Sequence, residues 1–284
     1  MKRKAFKFIG IVAMIAIIGF TVTACNNSTS PNDTPSNGGG TGGFEFQNIS
    51  TPSGDGYTVV NFTGDATEVV IPATHNGRPV IMISGGSAGA FEGNENIISV
   101  TIPTSVAYIV NRAFRNTPNL HSITIPSSVV EIENNAFEGS GITSITFGEG
   151  IQLSTISSNV FADTANLEGI TIPASVTFIS SGAFQDSAIK SITFTADSNL
   201  SRIEFSAFRN ATNLESITIP ESVDFVGAEA FGGWTAQQTI HIPFATLAEA
   251  VNQANPVWWH PVWRNDSNAV IMNNAGVQIW PVNN

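Results

Sequence analysis

The stretch Ser122-Ile123-Thr124-Ile125-Pro126-Ser127-Ser128-Val129-Val130-Glu131-Ile132-Glu133-Asn134-Asn135-Ala136-Phe137 is one turn of a pattern that fills most of the chain. The Phe that closes it recurs at Phe91, Phe114, Phe137, Phe161, Phe184, Phe208 and Phe231, in steps of 23, 23, 24, 23, 24 and 23 residues. A period in the twenties with a few apolar positions per unit is the mark of a stacked solenoid, in which each unit touches only its neighbours. Such an architecture presents an extended surface rather than an enclosed pocket.

Within one unit the two halves read differently. In Leu120-His121-Ser122-Ile123-Thr124-Ile125, strand alternation sends Ile123 and Ile125 inward and leaves Ser122 and Thr124 facing out. The same strand returns at Ser99–Ile102, Ser144–Phe147, Gly169–Ile172, Ser191–Phe194 and Ser216–Ile219. Stacked in register, these segments form a parallel sheet. Proline cannot donate to a ladder, so Pro103, Pro126, Pro173 and Pro220 each end a strand and begin a turn. The second half, with Val129, Ile132 and Ala136-Phe137, reads as a short extended piece followed by one helical or 3₁₀ turn that drives the Phe inward. No unit buries its apolar face alone. Stacking does so, with roughly 1.5–3 kcal/mol per buried large apolar side chain set against chain-ordering entropy.

A longer period overlies the short one. Ile125, Ile172 and Ile219 are 47 residues apart, as are Phe137, Phe184 and Phe231. Alternate units carry Phe147 and Phe194 in place of Ile-Pro, and two extra residues near Gly148-Glu149-Gly150 and Thr195-Ala196-Asp197. The array therefore reads as a duplicated pair of units, with the inserts as tolerated loop length.

The repeated Ser-Ile-Thr-Ile-Pro-x-Ser-Val…Ile…Ala-Phe strings at Ser122–Phe137, Gly169–Phe184 and Ser216–Phe231 resemble the BspA-like leucine-rich-repeat family of bacterial surface proteins. The entry segment Glu68–Pro72 with Asn76–Val80 is similar to that family's usual first unit, and the resemblance covers about residues 55–243. It departs in lacking a Cys after Ala-Phe and in its Trp-rich C-terminal end. The resemblance implies a β-rich leucine-rich-repeat solenoid, an α/β-type superhelix with one parallel sheet and short helical or 3₁₀ turns on the opposite side. It also implies an adhesive or ligand-binding surface protein, and carries over no catalytic residue.

The first residues concern location. Met1-Lys2-Arg3-Lys4 and Lys7 precede an apolar run from Phe8 to Phe20, and Val22-Thr23-Ala24-Cys25 follows. This order of charge, apolar run and small residue is that of a secretory signal peptide. The run falls short of the roughly 20 residues needed to span a membrane. A small residue before Cys at this point resembles a bacterial lipobox, which implies acylation of Cys25, the only cysteine in the chain. One cysteine also leaves no intrachain disulfide. Residues 26–43 contain no large apolar side chain and read as a flexible tether with a reach of roughly 20–25 Å. The expected organisation is a signal peptide over 1–24, lipidated Cys and linker over 25–43, and a capping hairpin with the first repeat over 44–95. The repeat array over 96–243 and a Trp-rich cap over 244–284 complete it.

Charge and chemistry narrow the function. The net charge is −11, and four of the 11 basic residues lie in the signal segment, which has no acidic one. The remainder holds 7 basic against 22 acidic residues, a net of −15. Such a surface repels nucleic acid and anionic headgroups. His75, His121, His241 and His260 share no metal-ligand spacing, and no Gly-x-Ser-x-Gly elbow or calcium loop occurs. The expectation is a non-enzyme with no cofactor and no metal.

The candidate site is the outward face of the strands. Thr124, Thr146, Thr171, Thr193 and Thr218 align with Thr101, and His241 takes that place in the last strand. Just upstream runs a variable column of Ile98, His121, Thr143, Glu168, Lys190, Glu215 and Gln238. Varying positions on a constant scaffold are where a repeat protein encodes specificity. Thr also suits any exposed strand, so the column has a purely structural reading as well. The partner implied is a protein or glycan at the cell surface, with the membrane reached through the N-terminal lipid.

All five tryptophans, Trp234, Trp258, Trp259, Trp263 and Trp280, lie near the C-terminus. They read either as an aromatic platform for sugars or as a cap, and the cap is preferred because something must cover the last coil. Thr246–Asn252 reads as a short helix there. At the other end, Tyr57–Phe62 and Val69–Ile71, joined through Gly64-Asp65, read as a hairpin over the first coil. A passive coat lipoprotein and a glycan-binding module using the tryptophans are the competing functions.

Overall fold

The computed structural model describes residues 41–51, 54–245, 258–260, 262–263 and 267–280. Through them the chain winds in successive coils, and each coil is tied to the next along three ladders. The first comprises the strands read from sequence. Glu68–Val70, Ser99–Thr101, Ser122–Ile125, Ser144–Phe147, Gly169–Ile172 and Ser191–Phe194 pair in parallel in that order. Ser216–Thr218, Thr239–His241 and Val270–Met272 form a second parallel group, closed by antiparallel Gln278–Trp280. Register is set residue by residue: Val100, Ile123 and Ile145 face one another, as do Thr101, Thr124 and Thr146. Period-two alternation holds, with Ile123 and Ile125 buried and Ser122 and Thr124 exposed.

The extended pieces of the second half also pair. Arg78–Ile83, Tyr108–Ile109 and Glu131–Ile132 stack in parallel, and Thr155–Ile156, Phe178–Ile179, Arg202–Ile203, Phe225–Val226 and Trp258–Trp259 do likewise. Only the second residue of each pair needs to point inward, so the sequence shows a lone Ile and no alternation.

The third ladder runs through the closing segments. Each Phe N–H donates to the carbonyl just before the next closing Phe: Phe91 to Ala113 at 2.9 Å, Phe114 to Ala136 at 2.8 Å, Phe184 to Ala207 at 2.8 Å. Residues two before and two after the Phe donate across in the same way, as Asn135 does to Ser158 and Asn116 to Glu138. Turn bonds of the 3₁₀ type span three residues inside the segment, such as Glu138 N–H to the Asn135 carbonyl. No helix forms among the described residues, and the backbone shows why. Asn135, Asn159 and Ser206 before the Phe, and Asn116, Asp163, Asp186 and Asn210 after it, have φ between 53° and 60°. That left-handed conformation breaks helical continuation and turns alternate N–H groups toward the neighbouring coil.

The core is a single file. The seven phenylalanines are at most 1% exposed, and successive rings stack at 4.9, 5.2, 5.8, 5.4, 5.2 and 5.4 Å with interplanar angles of 4–24°. The file is crossed at both ends. Phe44 meets Phe91 edge-on at 6.3 Å. Trp234 and Trp263 meet Phe231 edge-on at 5.2 and 5.8 Å.

The N-terminal pairing departs from expectation. The hairpin is Phe44–Thr51 against Gly54–Phe62, while Glu68–Val70 pairs in parallel with Ser99–Thr101 and Gly54–Phe62 in parallel with Arg78–Ile83. Val69 and Ile71 carry the inward period of a repeat strand, so they join the array. Phe44 and Phe46 supply the apolar side of the hairpin and pack on the core. At the other end, Trp234 and Trp263 are each 1% exposed, and Trp234 Nε1 donates to the Phe208 carbonyl at 2.8 Å. Thr246–Asn252 lies outside the described residues.

Phe161→Ala removes a ring stacked on both faces by neighbours that cannot move together. It is expected to lower unfolding free energy by about 3–5 kcal/mol, read from urea denaturation monitored by circular dichroism.

Candidate binding face

The outward face of the first ladder is built by repetition. Strands about 4.8 Å apart, with outward residues about 6.7 Å apart along each strand, set a grid of side chains. Ser99, Ser122, Ser144, Gly169 and Ser191 form one column of it by direct register. Thr101, Thr124 and Thr146 pair along the other, as do Thr171 with Thr193, and Thr218 with His241. Thr101, Thr124, Thr146, Thr171, Thr193 and Thr218 are all exposed, and no hydrogen bond within the described residues occupies any of their hydroxyls. His241 is half-buried, between Thr218 and Met272 in the ladder.

The variable column is held by the backbone. His121 N–H donates to the Ile98 carbonyl, Thr143 to His121, Glu168 to Thr143 and Lys190 to Glu168, at 2.7–3.1 Å. His121, Glu168, Lys190 and Glu215 are exposed, and Thr143 is half-buried with its Oγ1 donating to the His121 carbonyl at 2.9 Å. Lys190 Nζ sits 2.9 Å from Glu168 Oε1, with both side chains more than 60% exposed. In that solvent the pair contributes about 0–1 kcal/mol. The nearest charge to the only lysine outside the first seven residues is therefore supplied by this same face.

Gln238 does not belong to the surface. It is 4% exposed; its Oε1 accepts from Thr235 N–H at 2.7 Å and its Nε2 donates to the Thr212 carbonyl at 2.8 Å. Losing the Ile or Leu that earlier coils place just before the strand leaves an inward vacancy, and the Gln fills it with satisfied hydrogen bonds. Cys25 lies outside the described residues.

What the sequence reading passed over is a cleft of about 640 Å³ at the end of the strands. Glu149 and Gln152 stand on one side, Asp197 and Asn199 on the other, with Pro173 and Ala174 between. The walls are the two inserts, and their 47-residue spacing was the available signal. Among the described residues no cluster of three or more His, Cys, Asp or Glu is placed to hold a metal, and no helix is long and apolar enough to cross a membrane.

Acidic groups also line the closing segments. Arg115 lies between Glu92 at 3.1 Å and Glu138 at 2.9 Å. Further along, burial raises the Asp163 carboxyl above the ordinary carboxylate range, and Asp186 and Glu138 add to the rise.

Three ladders, a file of stacked phenylalanines and an open hydroxyl-covered strand face define a parallel β-solenoid. The chain belongs to the BspA type leucine rich repeat family, whose family model matches residues 87–199 and 190–253 in six copies. The crystal structure of a leucine rich repeat protein from T. pallidum is similar at 27% identity and a TM-score of 0.56, over 66% of this chain and 86% of that one. A leucine-rich repeat protein from Eubacterium ventriosum shares the fold at 21% identity and a TM-score of 0.52, over 65% of this chain and 49% of that one. Another from Bacteroides ovatus shares it at 20% identity and 0.50, over 85% and 71%. No curated protein matches the chain.

The raised Asp163 has a signed consequence. The folded state holds this proton to higher pH than the unfolded chain, so stability from this group falls as pH rises from the ordinary carboxylate range through the folded value. Asp163→Asn, which also tolerates the left-handed backbone, is expected to raise the melting temperature at neutral pH. Calorimetry below the carboxylate range should show the gain vanish.

Proposed function

We propose that this protein is a non-catalytic, lipid-anchored surface protein that binds protein partners through the outward face of its strand ladder. The observation that carries the reading is the run of six exposed threonine hydroxyls with no partner among the described residues, on a backbone fixed in register from coil to coil. A rigid array of unused donors and acceptors engages a partner at little ordering cost. Beside it, His121, Thr143, Glu168, Lys190 and Glu215 vary on the constant frame and supply specificity; His241 extends the threonine column. Family membership supports the same reading, since such repeats are typically non-catalytic scaffolds that bind proteins.

The first 25 residues support this location, as does the family, whose members are bacterial surface proteins. Cys25 carries the lipid, the residues after it hold the solenoid away from the membrane as far as Thr41, whose N–H donates to the Val70 carbonyl at 2.9 Å, and the terminal elements seal the array over 96–243. A glycan platform built on the tryptophans is disfavoured by the burial of Trp234 and Trp263, whose rings offer no surface. A passive coat would leave the hydroxyl face without a ligand.

Two experiments decide the matter. Cys25→Ala is expected to move the protein from the membrane to the soluble fraction of the cell; unchanged fractionation sinks the anchor. An array of immobilised matrix proteins, cell-surface proteins and glycans probed with the chain is expected to give a protein hit. That binding should weaken by about tenfold or more in Thr124→Arg/Thr171→Arg, with the melting temperature unchanged. Binding unaffected by the double substitution, or no binding at all, overturns the reading.

A further inference from the structure

The N-terminal tip of the solenoid ends in an open strand edge. Phe44–Thr51 pairs with Gly54–Phe62 on one side only and is the last strand of its sheet. Among the described residues, no backbone group of Phe44–Ser50 is bonded to anything beyond that hairpin. Alternate residues of such an edge point their N–H and C=O groups into solvent. Natural edges are blunted by shortness, bulges, Pro or charge. This strand is eight residues long and holds no Lys, Pro or Gly. The register shift at Glu45/Phe46 leaves the pairing regular from Phe46 onward. Its one charge, Glu45, accepts from Asn61 Nδ2 within the hairpin at 3.3 Å. Phe44, Phe46 and Ile49 are only half-buried. At the opposite tip the last strand, Gln278–Trp280, has three residues.

We propose that this edge is an interface between two copies of the chain, paired antiparallel about a two-fold axis so that two solenoids join tip to tip through one sheet. Three observations select a second copy as the occupant. First, the strand complements itself. An axis through Gln47 sets Gln47 against the partner's Gln47, Phe46 against the partner's Asn48 and Glu45 against the partner's Ile49, so no like charges face each other. The two Glu45 carboxylates then stand roughly 13 Å apart along the strands, beyond the screening length of about 8 Å at physiological salt. Second, an added strand covers more of Phe44, Phe46 and Ile49 than the hairpin does alone. Third, the chain enters the solenoid at this same tip. Thr41 N–H donates to the carbonyl of Val70, in the first strand of the other ladder. Copies anchored through Cys25 hold their N-terminal tips within roughly 20 Å of one plane, which raises the effective concentration of one tip for another. Only this third argument rests on the anchor proposed above.

Gln47→Lys sets two ammonium groups against each other at the axis. In sedimentation velocity the soluble Cys25→Ala protein is expected to run as a dimer. Adding Gln47→Lys should weaken the dimer by about tenfold or more with the melting temperature unchanged. On intact cells, the full chain carrying Gln47→Cys is expected to yield a dimer band with a short bismaleimide. Ser222→Cys, exposed on a distant coil, should yield none. A dimer that Gln47→Lys leaves intact, equal cross-linking at both positions, or monomer in solution with no cross-link from Gln47→Cys each overturns the interface. Monomer in solution with a cross-link confined to Gln47→Cys supports it, as an association driven by the shared plane. That cross-link together with fractionation unchanged by Cys25→Ala sinks the anchor alone; the expected fractionation with no dimer by either readout sinks this inference alone.

Discussion

Parallel stacking of seven phenylalanine rings is the interaction on which the solenoid depends. Rings 4.9–5.8 Å apart, within 24° of parallel, match the spacing that the flanking ladders impose on the coils. An isolated aromatic pair gains about 0.5–1.5 kcal/mol beyond burial when offset or edge-on. In a file every internal ring has two such neighbours, and the gain per coil is fixed by geometry rather than by chance packing. The file must also end. Edge-on rings do this at both tips, Phe44 at one and Trp234 with Trp263 at the other, each covering a terminal ring face that no further coil would bury.

The backbone obeys the same logic. Because the N–H of each closing Phe reaches the next coil, and those two residues either side do too, no coil satisfies all of its own polar groups. Three ladders on three sides of a narrow core leave little freedom for one coil to shift against another. The outward hydroxyls inherit that rigidity, so the strand face is a fixed grid, and side-chain chemistry varies from coil to coil only in the neighbouring column. Its charges are mostly negative, with Lys190 already engaged by Glu168.

The strand half of each unit was legible because alternation is a period-two signal and Ser-Ile-Thr-Ile repeats it in register. Family membership followed from the same strings. The second ladder was not, since a two-residue strand contributes one inward Ile and has no period. The absence of helix was hidden too, although Gly93, Asn116, Gly139, Asp163, Asp186, Asn210 and Gly233 mark the left-handed position two residues after every closing Phe. The hairpin was misassigned because Val69 and Ile71 alternate equally well as a cap strand or a repeat strand; only long-range pairing decides. In the candidate site, the threonine column lies where alternation put it. Gln238 does not, because a polar residue on a constant frame looked like variation when it was a core substitution with its hydrogen bonds satisfied.

The spacing of the inserts has one more consequence. Since the two bulged coils are separated by one plain coil, the array's unit of inheritance is 47 residues, not 23. Excising or adding such a pair would rejoin like with like along all three ladders. A single 23-residue change would instead bring two bulges side by side and abolish the recess between them. Lengthening by recombination therefore multiplies recesses and ring stacks together, in step with the number of coils.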